Sequence, residues 1–379
     1  MSSAVDLPAA AAGHRAPAPG TAIAPWLLDG PAQLRSGAHA GAIAGTIAES
    51  GAPTYVYPEI AGYYLQWLAW RVRTFGGGDA LAARAAAVQQ WLGTWLALAG
   101  PPQTRVHLAG QVDDWRNGAV FFFDVAMVAR GLGSAAREGL VVPDAGVVAG
   151  VSRILASLID ADGVFAARRA HDARVTLPDR WSTRRGAFLA KAAAGVITAA
   201  RTLPGISAPV AAAAHATFAA SIEWTLAHPH AEAHPRLYAL EGLLALPKDP
   251  RFPGVLAAVG TQLAALLAQA GTDGRLPETL DADAAARGPA RVDVLAQALR
   301  IGTLLGAEHP EHAPDRATLG NLRDLLARQL RPSGAVAFAV DAPAAAACNV
   351  WAAMFADQAL AFAAHPNAGT WRGGDPLIV

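Results

Sequence analysis

Two carboxylates stand where helical segments open among aromatic residues: Glu59 in "YPEIAGYY" and Asp124 in "FFFDVAMVARGL". Paired carboxyl groups facing one cavity, one protonated and one charged, cleave glycosidic bonds by acid–base chemistry when about 5–10 Å apart. Aromatic neighbours favour such a pairing, because desolvation raises a carboxyl pKa. Each could instead cap its helix and interact with the N-terminal dipole. Glu241 and Asp293 form a reserve pair. Glu241 follows Tyr238 by one helical turn and shares its face, and Asp293 follows Arg291, a ready structural partner.

Groups able to hold a ligand lie nearby in the same pattern. In "DRWSTRRGAFLAK", Arg180 and Arg184 are spaced to project together and grip a carboxylate or phosphate, Arg184 pointing inward, while Trp181 stacks on a ring. "HPHAEAH" carries His228, His230 and His234, but Pro229 and the spacing do not make the helical pair of zinc hydrolases. No metal site is expected there, and His234 reads as a cavity acid/base or hydrogen-bonding group. Tyr57 and Tyr63 accompany Glu59, and Trp351 accompanies Asn349, so these join the candidate binding residues, although aromatic stripes usually pack in cores. Cys348, the single cysteine, has no base beside it and reads as a buried thiol.

The elements that must position these groups are helices. Strand signals are scarce, and Pro and Gly clusters divide the chain into about twelve helical segments: 31–48, 57–73, 79–99, 119–133, 143–159, 181–201, 208–227, 234–247, 253–270, 291–306, 316–330 and 346–364. Every second segment follows a longer glycine-bearing loop and opens with polar or aromatic residues. The loops "RNGAVFF", "ADGVFAA", "TDGRLPE" and "PSGAVAF" recur about every 45 to 60 residues, with one double gap, as in a repeated helical hairpin. Six hairpins closing on themselves predict an all-α (α/α)6 toroid, its inner helix starts and their loops surrounding a central cavity.

Composition bounds the partners. With 379 residues and 53% apolar content the chain can bury a large core, and thirty basic residues balance thirty acidic ones, so no global field draws it to nucleic acid or an anionic membrane. One cysteine excludes an intrachain disulfide framework. The apolar runs are interrupted before the span length of about 18 residues, so no membrane segment is expected. The start lacks a signal-peptide pattern, giving the expectation of a cytoplasmic protein with a disordered Ala/Pro-rich tail over 1–25 and one domain over 26–379.

The motifs "YPEIAGYY", "GAVFFFDVAMVARGL", "HPRLYALEGLLAL", "DGRLPE" and "CNVWAAMFADQAL", in that order, resemble bacterial members of the six-hairpin glycosidase-like (α/α)6 superfamily. The resemblance spans about residues 30 to 365. It implies a toroid acting on a sugar or uronic acid by hydrolysis, elimination or epimerisation, with Glu59, Asp124, Tyr238, Glu241, Asn349 and Trp351 in the cavity. "FDVAM" departs from the relatives' "FDTGQ" after Asp124. "QVDDWR" is similar to the acid motif of isoprenoid cyclases, with Gln111 in place of the first acid. That leaves two alternatives: a cyclase or tailoring enzyme of natural-product biosynthesis using Asp113 and Asp114, and a non-catalytic binding toroid. The main expectation is a carbohydrate-active enzyme without metal or organic cofactor, its partner a small sugar or acidic polyol, with Glu59 and Asp124 as acid and base.

Overall fold

Helix α2, Pro58–Phe75, shows how the inner helices arise. Pro58 occupies the first turn, where its missing N–H costs nothing, and Gly76 at φ 77° ends the helix in a conformation open to glycine. Between them the residues from Pro58 to Trp70 are buried all round, as expected of a helix enclosed by neighbours. Outer helices instead bury one stripe: α3, Asp79–Ala97, buries Leu81, Ala85, Val88, Leu92 and Trp95, and α11, Arg316–Arg328, buries only Leu322, Leu325 and Leu326.

The computed structural model describes residues 22–98, 100–110, 112–172, 174–246, 254–280, 288–365 and 379. Besides α2, α3 and α11, these form α1 Ile23–Asp29, α4 Phe122–Arg137, α5 Ala145–Ser157, α6 Leu189–Ala200, α7 Ala208–Ala227, α8 Ala233–Ala245, α9 Val255–Leu267, α10 Val292–Glu308 and α12 Val350–Ala364. The even-numbered helices pack in sequence around a ring, and α12 returns to α2. The odd-numbered helices lie outside, with α1 against α12. This is a closed (α/α)6 toroid. Its inner helices approach closely: a Cβ on Gly62 of α2 would overlap the Met127 carbonyl of α4, and one on Gly131 would overlap Gly62 in return.

Short strands tie the loops at the cavity end. β1 Ala44–Ile47, β2 Pro53–Val56, β3 Val106–His107 and β6 Cys348–Asn349 form an antiparallel sheet in the order β3-β2-β1-β6. Because β2 runs towards α2 and β6 directly into α12, the pairings Thr46↔Asn349 and Ala44↔Val56 staple the seam between the last and first inner helices. β4 Ala119–Phe121 pairs with β5 Arg168–Ala170 ahead of α4.

The structure corrects the first expected helix. Residues 31–48 form turns and β1, because Gly37 and Gly41 take φ of 82° and 90°, outside the helical region, and Ala44 and Ile47 pair with neighbouring strands. The seven-residue α1 takes the outer place beside α12 and begins at Ile23, inside the segment expected as tail. Residues 1–21 of that tail, 366–378 of the expected domain, and the expected helix limits 99, 247 and 253 lie outside the described residues. The expected helix 181–201 starts later, at Leu189, after a 3-10 turn at Trp181–Thr183. No described helix is long and apolar enough to cross a membrane.

Candidate active site

The N-terminal ends of the inner helices and their preceding loops enclose a cavity of about 480 Å³. Glu59, the second residue of α2, and Asp124, the third of α4, both line it. Tyr57, the N-cap of α2, lines the same space, and its hydroxyl donates to Asp124 Oδ2 at 3.1 Å. Burial raises the pKa of both acids, and for Asp124 the neighbouring Glu59 charge pushes further the same way, lifting it well above the carboxylate range. Of the two buried acids, Asp124 is the more readily protonated.

Across the cavity, α8 supplies His234 and Tyr238, whose rings lie 4.2 Å apart. Burial and then the Arg291 charge hold His234 near a pKa of about 4, so it is neutral in ordinary buffer. Its Nδ1 lies 2.7 Å from Gln297 Oε1. Trp181, Phe188, Phe338 and Trp351 complete an aromatic wall.

Not every sequence candidate reaches this space. Asp293 is fully buried outside the cavity lining, receiving Arg291 at 3.0 and 2.6 Å and the Trp351 indole at 3.1 Å. Burial works against its ionisation, yet Arg291, His234 and Trp351 bring its pKa down to about 2. It is therefore a fixed anion that holds Arg291 and Trp351 in place. Glu241 also misses the lining and sits wholly buried with Lys191 Nζ at 2.7 Å, Gln297 Nε2 at 3.2 Å and Arg300 as donors. Burial opposes its charge, but Arg300 and Lys191 outweigh it and keep Glu241 ionised. Tyr63 is buried off the cavity and donates to Tyr238 Oη at 2.9 Å. Arg184 does not line the cavity either: it is exposed to solvent and pairs with Asp179 at 3.0 Å. Tyr57, Trp181, His234, Tyr238, Asn349 and Trp351 all line the cavity. Asn349 accepts the Ala352 N–H as the N-cap of α12, so its carbonyl oxygen is occupied in structure.

Arg105, Arg116, Arg291 and Glu278 also line the cavity and were not singled out from sequence as site residues. Arg105 lies over the Tyr55 ring at 4.5 Å, and both Arg105 and Arg116 reach Asp114, at 3.4 and 3.2 Å. Two guanidinium groups on one carboxylate leave this wall net positive. Asp114 is held ionised: burial resists, but the Arg116 backbone N–H and the two arginines lower its pKa. An olefin-protonating acid must be neutral, so Asp114 does not suit the cyclase role, and Gln111 of that motif lies outside the described residues. Cys348 is buried and receives Arg331 Nη1 at 3.0 Å, with burial raising its pKa. Among the described residues no group of three or more His, Cys, Asp or Glu is arranged to hold a metal ion.

No family model matches the chain, and no curated protein does. Solved structures share its fold. A sugar epimerase from a ruminal bacterium superposes with a TM-score of 0.65 at 11% identity, covering 89% of this chain and 95% of that one. The cellobiose 2-epimerase of Spirochaeta thermophila gives 0.60 at 14% identity over 89% and 95%. An unsaturated glucuronyl hydrolase specific for heparin gives 0.58 at 14% identity over 90% and 95%. The likeness is one of fold, the (α/α)6 toroid that the sequence implied.

Proposed function

We propose that the chain is a carbohydrate-modifying enzyme that performs acid–base chemistry in the toroid cavity, with Asp124 as the protonated acid and Glu59 as its charged partner. The observation that carries this reading is that two buried carboxyls, Glu59 and Asp124, line one cavity, with the Tyr57 hydroxyl donating to Asp124. An acid held neutral beside an anion delivers a proton to a leaving oxygen or a carbon–carbon double bond and stabilises the cation that develops. The aromatic wall of Trp181, Tyr238 and Trp351 suits the apolar face of a sugar ring. The excess positive charge of Arg105 and Arg116 over Asp114 favours a substrate with an acidic substituent. The solved structures sharing this fold carry names of sugar epimerases and a glucuronyl hydrolase, which supports the substrate class.

His234 favours a second reaction type at the same cavity. A neutral imidazole lining the space can remove a proton beside a sugar carbonyl, the first step of epimerisation or isomerisation. The test is a thermal-shift screen of neutral sugars, uronic acids and unsaturated uronides, followed by NMR of products formed in D2O from any stabilising sugar. Hydrolysis or hydration lost in Asp124→Asn and Glu59→Gln but retained in His234→Gln supports the carboxyl reading. Deuterium exchange into an intact sugar, lost in His234→Gln, moves the chemistry to the imidazole. Neither binding nor turnover of any sugar overturns the proposal.

A further inference from the structure

The imidazole of His234 has two nitrogens, and which one carries the proton decides whether the cavity meets a donor or an acceptor. Behind it lies a run of buried polar groups on three inner helices. Glu241 of α8 is ionised and can only accept. Its Oε1 takes Arg300, and its Oε2 takes Lys191 Nζ at 2.7 Å and a Gln297 atom at 3.2 Å. The Gln297 atom facing that oxygen must therefore be the amide nitrogen, which sends the amide oxygen the other way. That oxygen meets His234 Nδ1 at 2.7 Å. A carbonyl oxygen cannot donate, so Nδ1 holds the proton.

We propose that Gln297, oriented by Glu241, is a positioning residue that fixes His234 as the Nδ1–H tautomer, so that Nε2 is the bare nitrogen, available to a hydroxyl or acidic C–H donor in the cavity. Asp293 Oδ2, 3.7 Å from the same Nδ1, lies beyond hydrogen-bond reach, but its negative charge favours a proton on that nitrogen and reinforces the choice. The neutral state of the ring is consistent with this arrangement, since a bare Nε2 exists only when the imidazole is unprotonated. Glu241 and Gln297 are each wholly buried and neither lines the cavity, so both act on a ligand only through His234. Any part of this relay in turnover rests on the carbohydrate reading above; the tautomer itself does not.

The experiment is a long-range 1H–15N correlation spectrum of the full chain labelled at histidine, read without substrate, with the His234 ring assigned by its loss in His234→Gln. Wild type should show a protonated Nδ1 and a bare Nε2. Gln297→Met, which keeps the volume and removes the acceptor, should lose the pure Nδ1–H pattern and give a mixture or the Nε2–H form. Glu241→Gln is the second variant: it frees the Gln297 amide to turn, and should move the His234 pattern while the other histidines stay put. An Nε2–H signal in wild type overturns the inference. So does a wild-type pattern retained in both variants, which would leave Asp293 as the group that sets the tautomer. Because no ligand is involved, failure of the sugar screen leaves this result untouched.

Discussion

Replacing Glu241 with Gln should destabilise the fold in a way that depends on pH. The carboxylate lies with Lys191 and Arg300, and all three side chains are 0% exposed. Removing one partner of a buried ion pair leaves uncompensated charge and typically costs about 3–5 kcal/mol. Lys191 makes the loss pH-dependent. Burial, with help from Arg300 and Arg130, brings it from an ordinary 10.5 to about 7, and Glu241 is the largest influence holding it that high. Without Glu241 its folded pKa falls below about 7. In the unfolded chain Lys191 is protonated throughout the range of interest, so a lowered folded pKa means stability is lost as pH falls towards and through the folded value. Above about pH 8 Lys191 is neutral in both folded proteins and adds nothing to the difference between them. Below about pH 7 wild type keeps the paired ammonium while the variant must shed it, adding about 1.4 kcal/mol per pH unit until the variant's own pKa is reached. Urea unfolding followed by circular dichroism at about pH 6, 7.5 and 9 reads this directly. The expected result is a loss of a few kcal/mol at high pH that grows by about 1.4 kcal/mol per unit on the acid side of 7, with the growth abolished in Lys191→Met/Glu241→Gln. A loss under about 1 kcal/mol, or one that is flat with pH, would refute the buried-triad account.

His234 gives a second pH signature: its ordinary value is 6.5 and its folded value about 4, so stability present above 6.5 is lost as pH falls through 4. The span is worth up to about 3 kcal/mol, and the difference between wild type and His234→Gln in acid unfolding should show it. Gly62→Ala should cost at least about 1–3 kcal/mol in urea unfolding, because the new methyl meets the backbone of α4. Gly320→Ala in α11, where a Cβ meets nothing, should be neutral or stabilising by up to about 1 kcal/mol, and equal effects at the two glycines would refute the close-approach reading.

The toroid was legible because its signal is repetitive. Eleven of the twelve expected segments are helices in the structure, and the odd–even distinction between simple amphipathic and aromatic-headed segments separates outer from inner helices as built. Where the reading failed, local backbone chemistry decided. An Ala-rich stretch from 31 looked helical, but glycines at 37 and 41 gave the chain freedom to turn back and pair as β1. The spacing of those glycines was the available warning. The small sheet was beyond sequence reasoning for a different reason: β1 meets β6 about three hundred residues later in the chain, and two-residue strands carry no periodicity to detect.

The site divided along a physical line. Glu59, Asp124, His234 and Trp351, each in the first turn of an inner helix, line the cavity, and a correct helix phase was enough to nominate them; Asp293, in the first turn of α10, is the exception, held instead by Arg291. One turn further in, the same logic fails: Glu241 shares a face with Tyr238, yet depth along the axis turns a cavity acid into a buried counter-ion. Loop residues fail in the opposite sense. Arg105 and Arg116 reach the cavity from the segment between α3 and α4, which holds only a single 3-10 turn with no periodicity to read, and their shared carboxylate Asp114 becomes visible only once the segment is folded. The cluster of Arg105, His107, Asp114 and Arg116 in a loop leading to an inner helix was the one hint in the sequence. On the function proposed above, the helix starts supply the reacting groups and the loops supply the charge that meets the substrate. Reversing that charge by Arg105→Glu/Arg116→Glu should weaken acidic sugars while sparing neutral ones in the thermal-shift screen. Equal weakening of both would mean that the arginines hold the wall together rather than read the ligand.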